Sequence, residues 1–218
     1  IRDFCLSRGL GDVYKRQIKY IGNESISGNE SINAKGYVVT PGFIDVHTHS
    51  DLSFIVDPEA DSKLVQGVTF ELMGNCGMSF CSPLSKDNKY QLQERLNRYG
   101  VSKNMDWNNF DDWLNEIQNN TPSINVAAQI GHGNLRSFVM GMEARHPTPD
   151  ELAKMKHEIQ KAFDQGVLGF STGLWYAPGS YSSAEEIIEL AKVASKNNIL
   201  YSSHIRSESD DSSGLFPA

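Results

Sequence analysis

The sequence predicts an α/β fold in which parallel strands alternate with helices, arranged as the first five units of an eight-stranded (β/α) barrel of the TIM type. Five short apolar segments alternate with amphipathic helical segments, which is typical of parallel strands joined by helical crossovers. A reactive side chain also follows the carboxyl end of each predicted strand. An open doubly wound sheet fits the alternation equally well, but it would spread these five ends along a line, whereas a barrel gathers them at one mouth.

The amino-terminal part shows weaker patterns. Residues 1–17 have neither strand alternation nor a helical stripe, so we leave them unassigned and allow for a non-native origin. Residues 18–41 contain short alternations of polar and apolar residues, broken by Gly22, Gly28 and Gly36. These alternations predict two or three brief strands with tight turns.

The barrel region, residues 42–208, opens with the strand Phe43–His47. The pair Asp57-Pro58 then predicts the start of a helix, because aspartate is a good N-cap and proline suits the first helical position. Gly67 predicts the end of that helix.

The second and third strands flank a long insertion. Val68–Met73 and Ile124–Ile130 are apolar segments of strand length. Between them, residues 87–118 are polar and helix-biased, and Gly100 interrupts the stretch, so we predict two helices there. The segment Gly131-His132-Gly133 predicts the end of the third strand.

Two helices with capping signals precede the last two strands. Thr148 and Glu151 predict a capping box for a helix over Pro149–Gln165, and Ser183 and Glu186 predict a second one. The strands that follow these helices are Val167–Ser171 and Ile199–His204.

His47 and His49 end the apolar run of the first strand. Two positions apart on an extended strand, they share one face and can approach one metal ion together. The plain alternative is a strand end with two solvated histidines, because the H-x-H pattern alone has many false positives. The turn-forming pair Pro41-Gly42 aims this strand inward, which favours the metal site.

Cys76 and His204 extend this candidate site. Cys76 follows the second strand between Gly74 and Gly77, which let the backbone turn sharply and approach an ion closely. Imidazole and thiolate ligands favour zinc over magnesium or calcium, which prefer oxygen. The pattern leaves an alternative for each residue: Cys76 as a small buried core residue, and His204 as a hydrogen-bonded core histidine.

The remaining histidines and cysteines have no role that the pattern supports. We expect His132 to be a hydrogen-bonded core residue, and His146 and His157 to lie at the surface in or near a helix. Cys5 and Cys81 are treated as bystanders.

Composition and charge argue against several classes of partner. The formal net charge is −7 and Lys and Arg form no cluster, which argues against nucleic acid. No apolar run approaches the roughly 20 residues of a membrane span. The 3 cysteines are too few for a disulfide framework. We expect a soluble, cytoplasmic protein without a membrane partner, and the composition leaves its oligomeric state open.

Five separated motifs resemble those of a known family. They are GYVVTPGFIDVHTHSD, GVTFELMGNCGMS, IGHGNLR, GVLGFSTGLWYAPGSY and YSSHIRSE, and the resemblance covers about residues 18–208. The family is that of the N-acyl-D-amino-acid deacylases (D-aminoacylases) of the amidohydrolase superfamily. The resemblance implies a zinc-bearing (β/α) barrel and a small β-sandwich built from both chain ends, to which residues 18–41 would contribute.

The resemblance also implies roles for individual residues. His47, His49, Cys76 and His204 match metal ligands, with Cys76 and His204 on one tightly held zinc and a second, weaker site beside it. Tyr176, in LWYAPG, matches a tyrosine that contacts the substrate. The implied reaction is zinc-dependent hydrolysis of the amide bond of N-acyl-D-amino acids, a small-molecule substrate, to a carboxylate and a free D-amino acid.

The chain departs from the family pattern at its end. Family members continue with three more barrel strands, a further histidine ligand, a substrate-binding basic residue and an aspartate that serves as general base. None of these has a counterpart here, and residues 209–218 do not resemble the helix that should follow, so we leave them unassigned. We expect an amino-terminal part of a deacylase that contains no catalytic residue and is inactive by itself.

Two other interpretations stay open at this point. Cyclic-amide hydrolases of the dihydropyrimidinase and dihydroorotase type share the H-x-H pattern and the barrel order. They carry a modified lysine at the end of the fourth strand, where this chain has Ser171-Thr172-Gly173, so the deacylase is favoured. The other interpretation is a non-catalytic fragment that binds metal.

Overall fold

The computed structural model describes residues 22, 30–81, 83–102, 104–105 and 107–207. The chain divides into two compact units, residues 1–41 and 42–218. The unassigned segments 1–17 and 209–218 lie outside the described residues, as do most of residues 18–29.

The described part of the first unit contains a turn but no strand. The N–H of Tyr37 donates to the carbonyl oxygen of Ala34 at 3.0 Å, and Gly36 has a φ of +85°. Residues 30–41 form neither strand nor helix, so the strands predicted for 18–41 are wrong for these residues. An extended segment becomes a strand only when a neighbour pairs with it, and alternation within the sequence does not supply that neighbour.

The second unit is built on one sheet of five parallel strands. The strands are β1 (Phe43–Asp45), β2 (Val68–Met73), β3 (Asn125–Gly131), β4 (Gly169–Gly173) and β5 (Leu200–His204). Their order in the sheet is β1-β2-β3-β4-β5, and every neighbouring pair is parallel. Strands of a doubly wound sheet reverse their order at a switch point, so this unbroken order is that of a barrel.

The first strand is shorter than predicted. β1 ends at Asp45, so His47 and His49 lie in the loop beyond it. Alternation along an extended strand therefore does not bring these two imidazoles together, and the path of the loop does so instead. β2 has the predicted bounds, and the other three strands differ from their predictions by one or two residues.

Helices cover the connections between the strands. They are α1 (Ser53–Val56), α2 (Asp61–Leu64), α3 (Lys86–Arg98), α4 (Phe110–Asn119), α5 (His132–Met140), α6 (Pro149–Asp164) and α7 (Ala184–Lys196), with a short 3-10 helix over Gly179–Tyr181. α3 and α4 are the two helices predicted for the insertion. Among the described residues, no helix is both long and apolar enough to cross a membrane.

The helix predicted to start at Asp57 is wrong. Asp57 ends α1, where its N–H donates to the carbonyl oxygen of Ser53 at 2.6 Å. Ala60 has a φ of +52°, which a continuous right-handed helix does not contain, so a separate turn of helix, α2, follows it. α5 was also not predicted. Gly131-His132-Gly133 was expected only to end the third strand, whereas β3 passes directly into α5 at His132.

The two capping predictions have different outcomes. At α6, Thr148 and Glu151 form the complete capping box, so that prediction is confirmed. At α7, the Ser183 side chain accepts the N–H of Glu186 as expected, but the Glu186 carboxylate turns inward to His132 and Arg136. The second half of that capping box is therefore wrong, because a buried guanidinium binds the carboxylate more strongly than a backbone N–H does.

The hydrophobic core contains the apolar faces of the helices and side chains from the strands. Fully buried side chains come from α4, α5, α6 and α7 and from strands β3 and β4; among them are Trp113, Ile117, Ile130, Leu135, Met155, Ile159, Phe170 and Leu190. This packing fixes the strands beside one another and so determines where their carboxyl ends lie.

Candidate metal centre

Four side chains from the ends of three strands meet at the carboxyl edge of the sheet. The potential ligand atoms of His47, His49 and Cys76 all lie within 4.8 Å of one another. Cys76 Sγ lies 3.3 Å from His47 Nε2 and 3.8 Å from His204 Nδ1. The structure therefore brings His47, His49 and Cys76 into one group that could hold a metal ion, and His204 lies beside this group, near Cys76.

The four residues of the candidate site differ in their exposure to solvent. His47 and His49 are exposed, Cys76 is buried and His204 is half-buried. The ring of Tyr176 packs against the ring of His204, with centroids 4.9 Å apart. Tyr176, suggested as a substrate contact, thus lies beside the cluster and is itself partly exposed.

The loop that carries Cys76 has an unusual backbone. Cys76 has a φ of +55°, which residues other than glycine rarely adopt, and it lies between Gly74 and Gly77 at +76° and +72°. A Cβ atom at Gly74 would lie 2.2 Å from the carbonyl oxygen of Gln129, so only glycine allows this approach. Such conformations persist where the surrounding structure holds them, and they cluster at functional sites.

Three buried polar side chains fix this loop. Ser171 Oγ donates to the carbonyl oxygen of Gly74 and accepts the N–H of Gly77 at 3.1 Å. Asn75 Nδ2 donates to the carbonyl oxygen of Leu72 at 2.8 Å, and Gln129 Nε2 donates to Asn75 Oδ1 at 2.9 Å. Sequence reasoning did not single out these residues. The available signal was a polar residue, such as Gln129, within an otherwise apolar strand.

Charged groups hold the ends of β1 and β2. Asp45 accepts the N–H of His47 at 3.2 Å and pairs with Lys63 at 2.7 Å, and Lys63 also lies 3.0 Å from Glu71. The hydrogen bond from Lys63 holds the pKa of Asp45 below its usual value. Burial raises the pKa of Asp51 to about 6, although this carboxylate accepts the N–H of Phe80.

The donors fit zinc better than a hard cation. Partial burial of its ring lowers the pKa of His49, with smaller contributions from His47 and His204, and this shift favours the neutral imidazole that a metal ion binds. Burial also raises the pKa of the Cys76 thiol. A metal bound there would have to displace the thiol proton, as zinc does with cysteine ligands. Nitrogen and sulfur donors suit zinc, whereas magnesium and calcium select oxygen.

The other candidate residues lie apart from the cluster or outside the described chain. His132 is fully buried, and its Nε2 lies 2.8 Å from Glu186 Oε1, so the expectation of a hydrogen-bonded core histidine is confirmed. His146 and His157 are exposed as expected, and Cys81 is buried in the core. Cys5 lies outside the described residues.

The end of β4 distinguishes between two kinds of hydrolase site. Ser171, Thr172 and Gly173 are buried there, and Thr172 Oγ1 donates to Ser203 Oγ at 2.8 Å. None of these three positions holds a lysine that could bridge two metal ions. The carboxyl end of β4 instead secures the Cys76 loop through Ser171.

The fold and the site together define a protein of the (β/α)-barrel class, with imidazole and thiol groups gathered at the carboxyl edge of the sheet. A profile of the amidohydrolase family matches residues 30–198, which is more than half of the chain. The chain belongs to the amidohydrolase family.

Known relatives are similar in both sequence and structure. An N-acyl-D-glutamate deacylase of Alcaligenes xylosoxydans xylosoxydans is 35% identical over 211 residues, which cover 93% of this chain and 42% of the relative. A solved N-acyl-D-glutamate deacylase from Bordetella bronchiseptica, in complex with zinc and a phosphonate inhibitor, is 38% identical with a TM-score of 0.67. A solved D-aminoacylase with a binuclear metal centre is 32% identical with a TM-score of 0.66.

These matches confirm the barrel fold class and cover part of each relative. Each of the two solved structures matches 78% of this chain and 35% of its own chain. The chain thus spans about two fifths of the curated deacylase and about one third of the solved ones.

Proposed function

We propose that this chain supplies the metal-binding part of an N-acyl-D-amino-acid deacylase. The reaction is hydrolysis of the amide bond to give a carboxylate and a free D-amino acid. The observation that carries the proposal is that the ligand atoms of His47, His49 and Cys76 lie within 4.8 Å of one another, with His204 Nδ1 3.8 Å from the Cys76 sulfur. The similarity to N-acyl-D-glutamate deacylase and D-aminoacylase supports this reaction in preference to other hydrolyses.

The proposed metal is zinc. His47, His49, Cys76 and His204 would hold it, with Cys76 and His204 on the tightly bound ion and a second, weaker site beside them. The nitrogen and sulfur donor set supports this assignment, and the lowered pKa of His49 agrees with it. When bound, zinc supplies Lewis-acid chemistry, because it polarises an amide carbonyl and lowers the pKa of water toward about 7.

The remaining residues of the site bind and orient. Tyr176 contacts the substrate from the rim, where its ring packs against His204 and its side chain is partly exposed. The buried contacts of Ser171 and Asn75 hold the Cys76 backbone in its left-handed conformation, so the sulfur keeps its direction. Asp45 binds the N–H of His47 and orients the first ligand loop.

The proton-transfer group is proposed to lie outside these 218 residues. General-base catalysis of hydrolysis needs a carboxylate or imidazole within reach of the attacking water. The carboxylates that follow β1 are already engaged, since Asp45 is paired with Lys63 and the buried Asp51 accepts the N–H of Phe80. The 218-residue chain alone is therefore expected to be inactive.

The test is hydrolysis of N-acetyl-D-methionine by the full-length, zinc-loaded protein. We expect release of D-methionine, no release of L-methionine from the L-substrate, and no turnover by the 218-residue chain above a zinc-only blank. Hydrolysis of dihydrouracil with no action on the linear amide would reject the deacylase. Turnover by the 218-residue chain would show that the proton-transfer group lies within it.

A further inference from the structure

Residues 174–182 lie between β4 and α7, and we call this segment the β4 loop. The N–H of Leu174 donates to the carbonyl oxygen of His204 at 2.9 Å. Two residues further on, the ring of Tyr176 packs against the ring of His204. The first half of the β4 loop is thus attached to the end of β5.

Arg206 attaches the second half of the β4 loop to the same place. This half-buried side chain follows β5 by two residues, and its guanidinium donates to the carbonyl oxygen of Ser180 at 3.0 Å. Its other terminal nitrogen donates to the carbonyl oxygen of Ser182. One guanidinium therefore binds two backbone carbonyls that lie two residues apart in the loop.

Hydrogen bonds within the β4 loop connect these carbonyls to Tyr176. The N–H of Ser180 donates to the carbonyl oxygen of Tyr176 at 2.8 Å. Ser182 closes the short 3-10 helix, because its N–H and its hydroxyl both donate to the carbonyl oxygen of Gly179, at 3.1 and 2.7 Å. Restraint of Ser180 by Arg206 is thereby passed to the backbone of Tyr176, and restraint of Ser182 is passed to Gly179.

The inner side of the β4 loop rests on the sheet without spare room. A Cβ atom at Gly179 would lie 2.4 Å from the carbonyl oxygen of Gly173 and 3.6 Å from His132 Nδ1. The loop is therefore closely packed on the sheet at Gly179, and its outward movement is opposed by the hydrogen bonds from Arg206.

We propose that Arg206 is a positioning residue that holds Tyr176 where it contacts the substrate. The planar fork of a guanidinium can bind two carbonyl oxygens in fixed directions, whereas a lysine ammonium supplies the charge without the fork. The inference rests on the proposed function to the extent that Tyr176 touches substrate. It adds a residue that never reaches the substrate and acts only through the β4 loop.

The test compares Arg206→Lys and Arg206→Met in the full-length, zinc-loaded protein. Matched controls are Arg98→Lys and Arg98→Met, because Arg98 is an exposed arginine in the last turn of α3. Both Arg206 variants are expected to raise the KM for N-acetyl-D-methionine about 10-fold or more, with a smaller change in kcat and unchanged zinc content. The controls are expected to leave all three values unchanged.

A double-mutant cycle distinguishes positioning from an independent effect. If Arg206 acts through Tyr176, the combined loss in kcat/KM of Arg206→Met with Tyr176→Phe is smaller than the product of the two single losses. Multiplicative losses would overturn the inference. Loss of zinc in Arg206→Lys would also overturn it, since Arg206 would then act on the metal ligand His204.

A measurement that needs no turnover separates this inference from the deacylase proposal. Hydrogen exchange at the amides of Ser180 and Ser182 is expected to accelerate about 10-fold or more in Arg206→Met and to stay unchanged in Arg98→Met. Unchanged exchange in Arg206→Met would overturn the inference, whatever the substrate. If exchange accelerates in Arg206→Met as expected but the wild-type protein hydrolyses no N-acyl-D-amino acid, the attachment of the β4 loop by Arg206 stands and the proposed function fails.

Discussion

The sulfur of Cys76 lies 3.3 Å from Nε2 of His47, although the two residues are 29 positions apart in the chain. Cys76 follows β2 and His47 follows β1, so the contact depends on the parallel pairing of these two strands. His204, 128 positions after Cys76, reaches the same sulfur only because β5 belongs to the same sheet. The candidate metal centre therefore forms only because β1, β2 and β5 belong to one sheet.

The first prediction concerns the thiol. Cys76→Ala in the full-length protein is expected to remove the tightly bound zinc, because it deletes the buried donor that lies near both His47 and His204. Zinc content is measured by elemental analysis after dialysis. The matched control is Cys81→Ala, which changes a buried cysteine of the core and leaves zinc bound. Equal zinc in the two variants would defeat the ligand assignment.

A second prediction concerns Tyr176. Tyr176→Phe keeps the ring against His204 and removes the hydroxyl, so we expect kcat/KM to fall roughly 10- to 100-fold with zinc retained. Tyr181→Phe, in the same loop, is the control and should retain activity. Zinc loss from Tyr176→Phe would instead mean that the hydroxyl supports the metal ligands.

The third prediction uses the close approach at Gly74. Gly74 and Gly100 both have a φ of +76°, but a Cβ at Gly74 would meet the Gln129 carbonyl at 2.2 Å, while one at Gly100 would meet nothing within 4 Å. Gly100→Ala is expected to cost about 1 kcal/mol of unfolding free energy, the usual penalty of the conformation. Gly74→Ala should cost several times more and should reduce zinc binding. Equal costs, measured by urea unfolding, would show that the approach at Gly74 is not tight.

The fourth prediction concerns pH and His132. Burial lowers the pKa of His132, so the unfolded chain binds a proton that the folded protein rejects once the pH falls below about 6.5. The free energy of unfolding is therefore lost as the pH decreases from that value, by at most about 1.4 kcal/mol per pH unit from this residue. His132→Gln should show a smaller loss between about pH 7.5 and about pH 5.5. The control is the exposed His157→Gln, which should match the wild-type slope.

The surroundings of His132 act on its pKa in opposite directions: burial lowers the pKa most, the hydrogen bond to Glu186 opposes this, and the charge of Arg136 adds to the lowering. Burial alone would raise the pKa of Glu186, but hydrogen bonds from His132 and Arg136 lower it below its usual value. The guanidinium of Arg136, 2.5 Å from Glu186, already balances the carboxylate charge. A second positive charge on His132 would share this single carboxylate with Arg136 in the core, which is costly. An unchanged pH slope in His132→Gln would place the protonation elsewhere.

Much of the fold could be predicted because its signals are local. Strand and helix periodicity located all five strands, and capping residues located the start of α6. Prediction failed where local signals agreed with a structure that the rest of the chain does not permit. Asp57-Pro58 is a sound helix start in isolation, yet Ala60 adopts a left-handed conformation, and Glu186 has the right spacing for a capping box but binds Arg136.

The sequence by itself determined the types of side chain at the strand ends and the order in which the strands occur. The tertiary structure alone decided that His47, Cys76 and His204 meet, that Ser171 and Gln129 hold the Cys76 loop, and that Arg206 binds the β4 loop. The physical reason is that periodicity and capping depend on neighbours a few residues away, whereas these contacts require strands far apart in sequence to be paired in one curved sheet.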